Sequence, residues 1–125
     1  MEERDPLTES VIGAAIEVHR ELGPGLLESV YQKCLVHELR LLGVEFQSQA
    51  RLPICYKGQL LHDAELVMDI YFPNRLVVEL KAVDKLLPIH EAQLLTYLRL
   101  SQTHTGLIIN FNVRLLKDGL KRMVK

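Results

Sequence analysis

The sequence is poor in the residues that build metal knuckles, redox pairs and membrane anchors. It has two cysteines in 125 residues, Cys34 and Cys55, far apart and with no CxxC or companion Cys/His spacing. A zinc knuckle or redox motif is thereby disfavoured, and both thiols are expected to be reduced and in the core. Five histidines, His19, His37, His62, His90 and His104, show no HExxH or comparable spacing, which argues against a zinc hydrolase. Ser10, Ser29, Ser48 and Ser101 lack elbow or SxxK contexts, so a serine nucleophile is poorly supported. The opening Met1-Glu2-Glu3-Arg4-Asp5 lacks the basic and then apolar profile of a secretory signal, and no apolar run approaches membrane-spanning length. These absences predict a cytoplasmic protein with no membrane partner. No repeat, low-complexity tract or long linker interrupts the chain, which predicts one domain over residues 1–125.

What is present fits that expectation. A hydrophobic content of 48% gives a chain of this length a real core without staples. The net charge of −1 hides an asymmetry: residues 1–65 carry 6 Lys/Arg against 11 Asp/Glu, and residues 66–125 carry 9 against 5. The basic excess gathers in Arg114, Lys117, Lys121, Arg122 and Lys125. Such a cluster can neutralise phosphates, but the solvated face of a helix explains it as well, so it does not by itself establish nucleic-acid binding.

Hydrophobic spacing gives the elements. Asp5-Pro6 and Thr8 open a helix with Val11, Ile12, Ala15, Ile16, His19 and Leu22 on one face, stopped by Gly23-Pro24-Gly25. A second helix is predicted over 26–42, with Leu27, Val30, Tyr31, Cys34, Leu35, Leu39 and Leu42 inward and Gly43 as its cap. Glu28 in its first turn suits the helix dipole, and it is also placed to reach into a cleft. From Val44 the period becomes two, with a hairpin turn at Lys57-Gly58 and a strand over about 64–72 that carries Asp69. Beyond the turn Phe72-Pro73-Asn74-Arg75 lies Leu76-Val77-Val78-Glu79-Leu80-Lys81-Ala82-Val83, whose continuous apolar character reads as a central strand buried on both faces. A helix over 90–100, a buried strand over 105–111 and a last helix over 115–124 complete the order α-α-β-β-β-α-β-α. The fold class is α/β, a mixed central sheet flanked by helices.

Glu79 and Lys81 interrupt the central strand and project to the same side, with Cα atoms roughly 6.6 Å apart. A structural ion pair is one explanation; a metal or catalytic site is the other, since buried charges need a partner or a duty. Antiparallel pairing across the short turn brings Asp69 beside them, so three ionisable groups converge. Gln93 and Tyr97 lie four apart on the following helix and share a face. His90, opening that helix, is read as a cap or solvent residue, with a phosphate contact as the minority alternative.

Gly25-Leu26-Leu27-Glu28-Ser29-Val30-Tyr31 matches a GxxExxY signature. With Val18-His19-Arg20-Glu21-Leu22-Gly23-Pro24-Gly25, Glu79-Leu80-Lys81-Ala82-Val83, His90-Glu91-Ala92-Gln93 and Gly106-Leu107-Ile108-Ile109-Asn110-Phe111, it makes the chain from Leu7 to Val124 resemble the GxxExxY protein family. That family is a branch of the PD-(D/E)XK nuclease superfamily. The resemblance implies a restriction-endonuclease-like core, with Asp69 as the metal-binding aspartate and Glu79 and Lys81 as the (D/E)XK pair. It further implies Glu28 as the first-helix glutamate and Gln93 as the glutamine after the pair. Asp63 and Glu65 are the alternative acids on the strand of Asp69.

The chemistry of this set is that of a hard cation. Mg²⁺, or Mn²⁺ in its place, takes carboxylate, carbonyl and water oxygens, which Asp69, Glu79, the Leu80 carbonyl and Glu28 can supply. Lys81 would orient the attacking water and stabilise negative charge, and Gln93 would position water or phosphate. The expected function is metal-dependent hydrolysis of nucleic-acid phosphodiesters, DNA ahead of RNA. A non-catalytic nucleic-acid- or protein-binding module with the same fold is the alternative, and a small phosphate ester is a third possible substrate. An uncovered sheet edge would allow a homodimer.

Overall fold

The computed structural model describes residues 5–125, and the acidic opening Met1-Glu2-Glu3-Arg4 lies outside the described residues. Helix α1, Pro6–Leu22, starts as its sequence dictates. Asp5 caps it by accepting the Thr8 amide proton at 2.8 Å, and Pro6 occupies the first turn, where its missing N–H costs nothing. Gly23, at φ 68°, closes the end by donating its amide to the His19 carbonyl. His19 is buried, with Nε2 2.7 Å from the Val113 carbonyl, and is thus the satisfied core histidine its spacing suggests.

Helix α2, Glu28–Leu41, buries a narrower stripe than its pattern predicts. Tyr31, Leu35, Val36 and Leu39 are inside, while Leu27, Val30 and Leu42 are exposed. Leu26 and Leu27 precede the helix in the loop that follows Gly23, so the first turn overhangs the core and presents Glu28 outward.

Five strands follow in one sheet: β1 Gln47–Tyr56, β2 Gln59–Phe72, β3 Leu76–Lys81, β4 Thr105–Asn110 and β5 Leu120–Val124, in spatial order β1-β2-β3-β4-β5. Lys57 and Gly58 both take positive φ, the arrangement of a tight hairpin, and join β1 to β2. Strand β3 is central, and Leu76 through Leu80 are all buried. Helix α3, Pro88–Ser101, carries the chain across to β4, which runs parallel to β3, whereas the other pairs are antiparallel. Alternation along β3 feeds two cores: Val78 and Leu80 pack under α1 and α2, and Val77 packs under α3. Glu79 and Lys81 therefore belong to the α3 side. At Gly106 an added Cβ would come within 2.9 Å of Leu94, so the glycine admits α3 close to the sheet.

The last element is not the helix predicted over 115–124. Leu116–Gly119 form a single 3₁₀ turn and β5 then pairs antiparallel with β4. The spacing of Leu116, Leu120 and Val124 suits a helix, but without β5 the β4 backbone would present an unpaired edge, and pairing prevails. Gly119 makes the turn possible, because an added Cβ would lie 2.1 Å from the Asn110 carbonyl oxygen. The observed order is α-α-β-β-β-α-β-β. Of the two thiols, both free, Cys34 is half-buried and Cys55 is exposed on the β1–β2 hairpin, so only the former approaches the expected core position. No described helix is long and apolar enough to cross a membrane.

Candidate active site

The site forms where the β2–β3 ladder opens. Its last paired positions are Ile70 and Val78, so the next step of the register sets Asp69 opposite Glu79. Two carboxylates facing each other repel, and the strands exchange backbone pairing for side-chain pairing. The Asp69 amide donates to Glu79 Oε2 at 2.8 Å, and the Leu80 amide donates to Asp69 Oδ2, also at 2.8 Å. Each acid thereby caps the other's strand. A third donor, Gln49 Nε2, lies 3.2 Å from Asp69 Oδ1.

Lys81 emerges beside Glu79 but is held elsewhere. Its Nζ donates to Gln93 Oε1 at 3.1 Å, and Gln93 Nε2 donates to the Tyr97 hydroxyl at 3.1 Å. The shared helical face of Gln93 and Tyr97 thus orients the amide so that its oxygen meets the ammonium. Among the described residues the ion pairs are Arg20–Glu17, Arg51–Glu65 and Lys121–Glu91, and Lys81 takes part in none. The explanation of Glu79 and Lys81 as a structural ion pair does not fit this geometry.

Glu28 reaches the site from α2, and Tyr31 fixes the segment that precedes it. The fully buried Tyr31 ring stacks on Phe111 at 4.4 Å, its hydroxyl donates to the Gly23 carbonyl, and the Leu26 amide donates back at 3.2 Å. Asn112 Oδ1 accepts from the Gly25 amide at 3.1 Å, tying the same loop to the end of β4. Glu28, Gln32, Ser48, Gln49 and Asp69 line one cleft of about 540 Å³.

Burial sets the electrostatics. It pushes the Glu79 carboxyl up to about 8, with Asp69 and more weakly Glu28 adding to the rise, while the Asp69 amide and Lys81 oppose it. Burial likewise raises Asp69 despite the Leu80 amide, Gln49 and Lys81. Glu28 is raised by burial and then by Asp69, against the pull of Lys81. The Tyr97 hydroxyl is raised by burial and by the fields of Glu79 and Asp69. Three acids sharing one field, with one lysine to offset them, are what a divalent cation would relieve.

The donor chemistry fits a hard ion, because every side chain offered is an oxygen ligand. Among the described residues no group of three or more His, Cys, Asp or Glu side chains is placed to hold a metal ion, so Glu28 does not complete a three-acid set with Asp69 and Glu79. Two carboxylates with a third near by suit Mg²⁺, which is usually bound through one or two carboxylates and keeps several waters.

The alternative acids are elsewhere. Asp63 sits at φ 61° on the exposed hairpin, and Glu65 pairs with Arg51 across it. His90 Nδ1 accepts the Leu87 amide proton at 3.0 Å, so it caps α3. Lys85 and Arg99 are exposed. Three polar residues were not singled out by sequence reasoning. Gln49 holds the Asp69 carboxylate, and Gln32 Nε2 donates to the Asp69 carbonyl at 2.9 Å. Asn110, buried at the end of β4, accepts the Val83 and Asn112 amides and donates to the Val83 carbonyl, which fixes the exit of β3. The polar run Gln47-Ser48-Gln49 in an otherwise alternating strand is the signal that could have found the first.

The architecture is an α/β fold with a mixed five-stranded sheet between helices, consistent with a restriction-endonuclease-like core. A family model of the PD-(D/E)XK nuclease superfamily matches residues 5–123, and the chain belongs to that superfamily. No match was found among curated proteins or among solved structures.

Proposed function

We propose that this chain is a metal-dependent nuclease of the GxxExxY branch, hydrolysing phosphodiester bonds of nucleic acid, DNA ahead of RNA. Asp69, Glu79 and the Leu80 carbonyl would hold Mg²⁺ or Mn²⁺, with Glu28 near by. When bound, the ion supplies Lewis-acid polarisation of the phosphoryl oxygen and lowers the pKa of a water molecule. Lys81, steadied by Gln93, orients the attacking water and stabilises the negative charge that develops on the phosphoryl group. Gln93 keeps the ammonium from collapsing onto Glu79, and Tyr97 keeps the Gln93 amide in the required orientation. The observation that carries this reading is the meeting of Asp69 and Glu79 across the open ladder, with Lys81 beside them and engaged by an amide instead of a carboxylate.

The test is cleavage of labelled single-stranded and duplex DNA and RNA with Mg²⁺ or Mn²⁺ by wild type and by Asp69→Ala, Glu79→Ala and Lys81→Ala. Metal-dependent cleavage by wild type, lost in all three variants, is the expected result. Inactivity of wild type on every substrate, together with metal titrations that do not distinguish it from the Asp69 and Glu79 variants, would replace this reading with that of a non-catalytic binding module. Cleavage confined to small phosphate esters would keep the site and change the substrate.

A further inference from the structure

A strained residue stands across from Asp69. Gln49 adopts φ 52°, in the left-handed region that side chains other than glycine seldom enter. Between Gln47 and Pro53 on β1 it is the position without a ladder partner, although the register there sets Asp69 opposite it. The sheet changes facing at this break. Met68 packs in the core under α3, whereas Ile70, two residues on, packs under α1 and α2. In an unbroken strand those two side chains would share a face. Asp69 lies at the reversal.

Stability does not account for the arrangement. Gln49 is exposed, so no packing offsets its backbone strain, and glycine would take the same φ at lower cost. A second local cost sits next to it. Gln32 places its Nε2 on the Asp69 carbonyl at 2.9 Å and on Ser48 Oγ at 3.1 Å, which leaves its buried Oε1 without a hydrogen-bond partner. Both costs surround one aspartate. The left-handed turn brings the Gln49 amide within 3.2 Å of Asp69 Oδ1, while Leu80 holds Oδ2, so the carboxylate is fixed at both oxygens.

We propose that Gln49 is a positioning residue: its left-handed backbone is kept because it delivers a side-chain amide that fixes the Asp69 carboxylate for metal binding. The metal half of this inference rests on the function proposed above, and the positioning half does not.

Three readouts on Gln49→Gly and Gln49→Ala test it. Glycine relieves the strain and removes the amide, so Tm should be at or above that of wild type. Alanine removes the amide and keeps the strain, so its Tm should fall below that of the glycine variant. In metal-free protein, hydrogen exchange of the Leu80 amide, followed by NMR, should speed up in both variants as Asp69 loosens. Mn²⁺ affinity, read by titration calorimetry or electron paramagnetic resonance, should drop by roughly 10–100-fold in both. Unchanged Leu80 exchange and Mn²⁺ affinity in Gln49→Gly would overturn the proposal. So would a fall in its Tm that parallels the affinity loss, since that marks a merely structural role. A wild type that binds no Mn²⁺, with Leu80 protection still lost in the variants, would support the positioning role and sink the metal reading of the site.

Discussion

Asp69 and Glu79 face each other one step beyond the last backbone pair of β2 and β3, and each carboxylate accepts an amide proton from the other's strand. Side chains have taken over the work of the ladder at that point, and the consequences of this exchange can be measured.

The first is a dependence of stability on pH. Burial pushes the Glu79 carboxyl up to about 8 from an ordinary 4.5, so the folded state binds that proton more tightly than the unfolded chain does. The resulting stabilisation is fully present below the unfolded value and is lost as pH rises through the folded one. Glu28 and Asp69 shift in the same direction. Thermal melts of metal-free protein should show Tm falling by several degrees between about pH 5 and pH 9, and Glu79→Gln should flatten the slope. A wild-type Tm that rises steadily over this range would contradict the assignment.

Lys81 carries no carboxylate partner among the described residues, so its removal should separate activity from stability. Lys81→Met should leave Tm within a few degrees of wild type while lowering phosphodiester cleavage by about 100-fold or more. Gln93→Leu should lower cleavage less, because it frees the ammonium without deleting it. A large loss of stability in Lys81→Met would show instead that the lysine is structural.

Tyr31 ties the loop before Glu28 to the core through its hydroxyl, while its ring packs on Phe111. Tyr31→Phe keeps the ring and strands the Gly23 carbonyl and the Leu26 amide, at a cost of about 1–2 kcal/mol in chemical denaturation. Cleavage should fall as well, through a less ordered Glu28. Unchanged stability would mean that water replaces both bonds.

Gly119 admits the backbone of the last turn against the Asn110 carbonyl. Gly119→Ala should destabilise by about 2–3 kcal/mol, since a backbone atom cannot move aside as a side chain can. Gly106→Ala meets the flexible end of Leu94 and should cost less. Urea denaturation of the two variants gives the ordering directly, and the reverse order would refute it.

The legible parts of this chain were those governed by local pattern and short-range counting. The apolar run Leu76 to Leu80 reads as a central strand because burial on both faces leaves no room for alternation. Asp69 meets Glu79 because the turn at Pro73-Asn74 is short enough to count across, with Asn74 taking the positive φ it requires. The illegible parts depend on distant partners. Leu120 to Val124 form a strand because β4 needs an edge partner, and nothing in their own spacing says so. The outward first turn of α2 follows from a loop anchored by Tyr31 and Asn112, and the roles of Gln32 and Gln49 follow from a backbone break that no periodicity announces.

The short antiparallel join between β2 and β3 has one more implication. Three positions pair there, Ile70 to Phe72 with Leu76 to Val78, against five between β3 and β4. Asp69 thus belongs to the hairpin on one side of a thin seam, and Glu79 and Lys81 to the parallel β3–α3–β4 unit on the other. Both cores cross that seam, Ile70 and Phe72 packing with Val78 and Leu80 on one face and Met68 with Val77 on the other, so the spacing of the two acids is carried by side-chain packing and by their paired amide bonds where backbone pairing is thin.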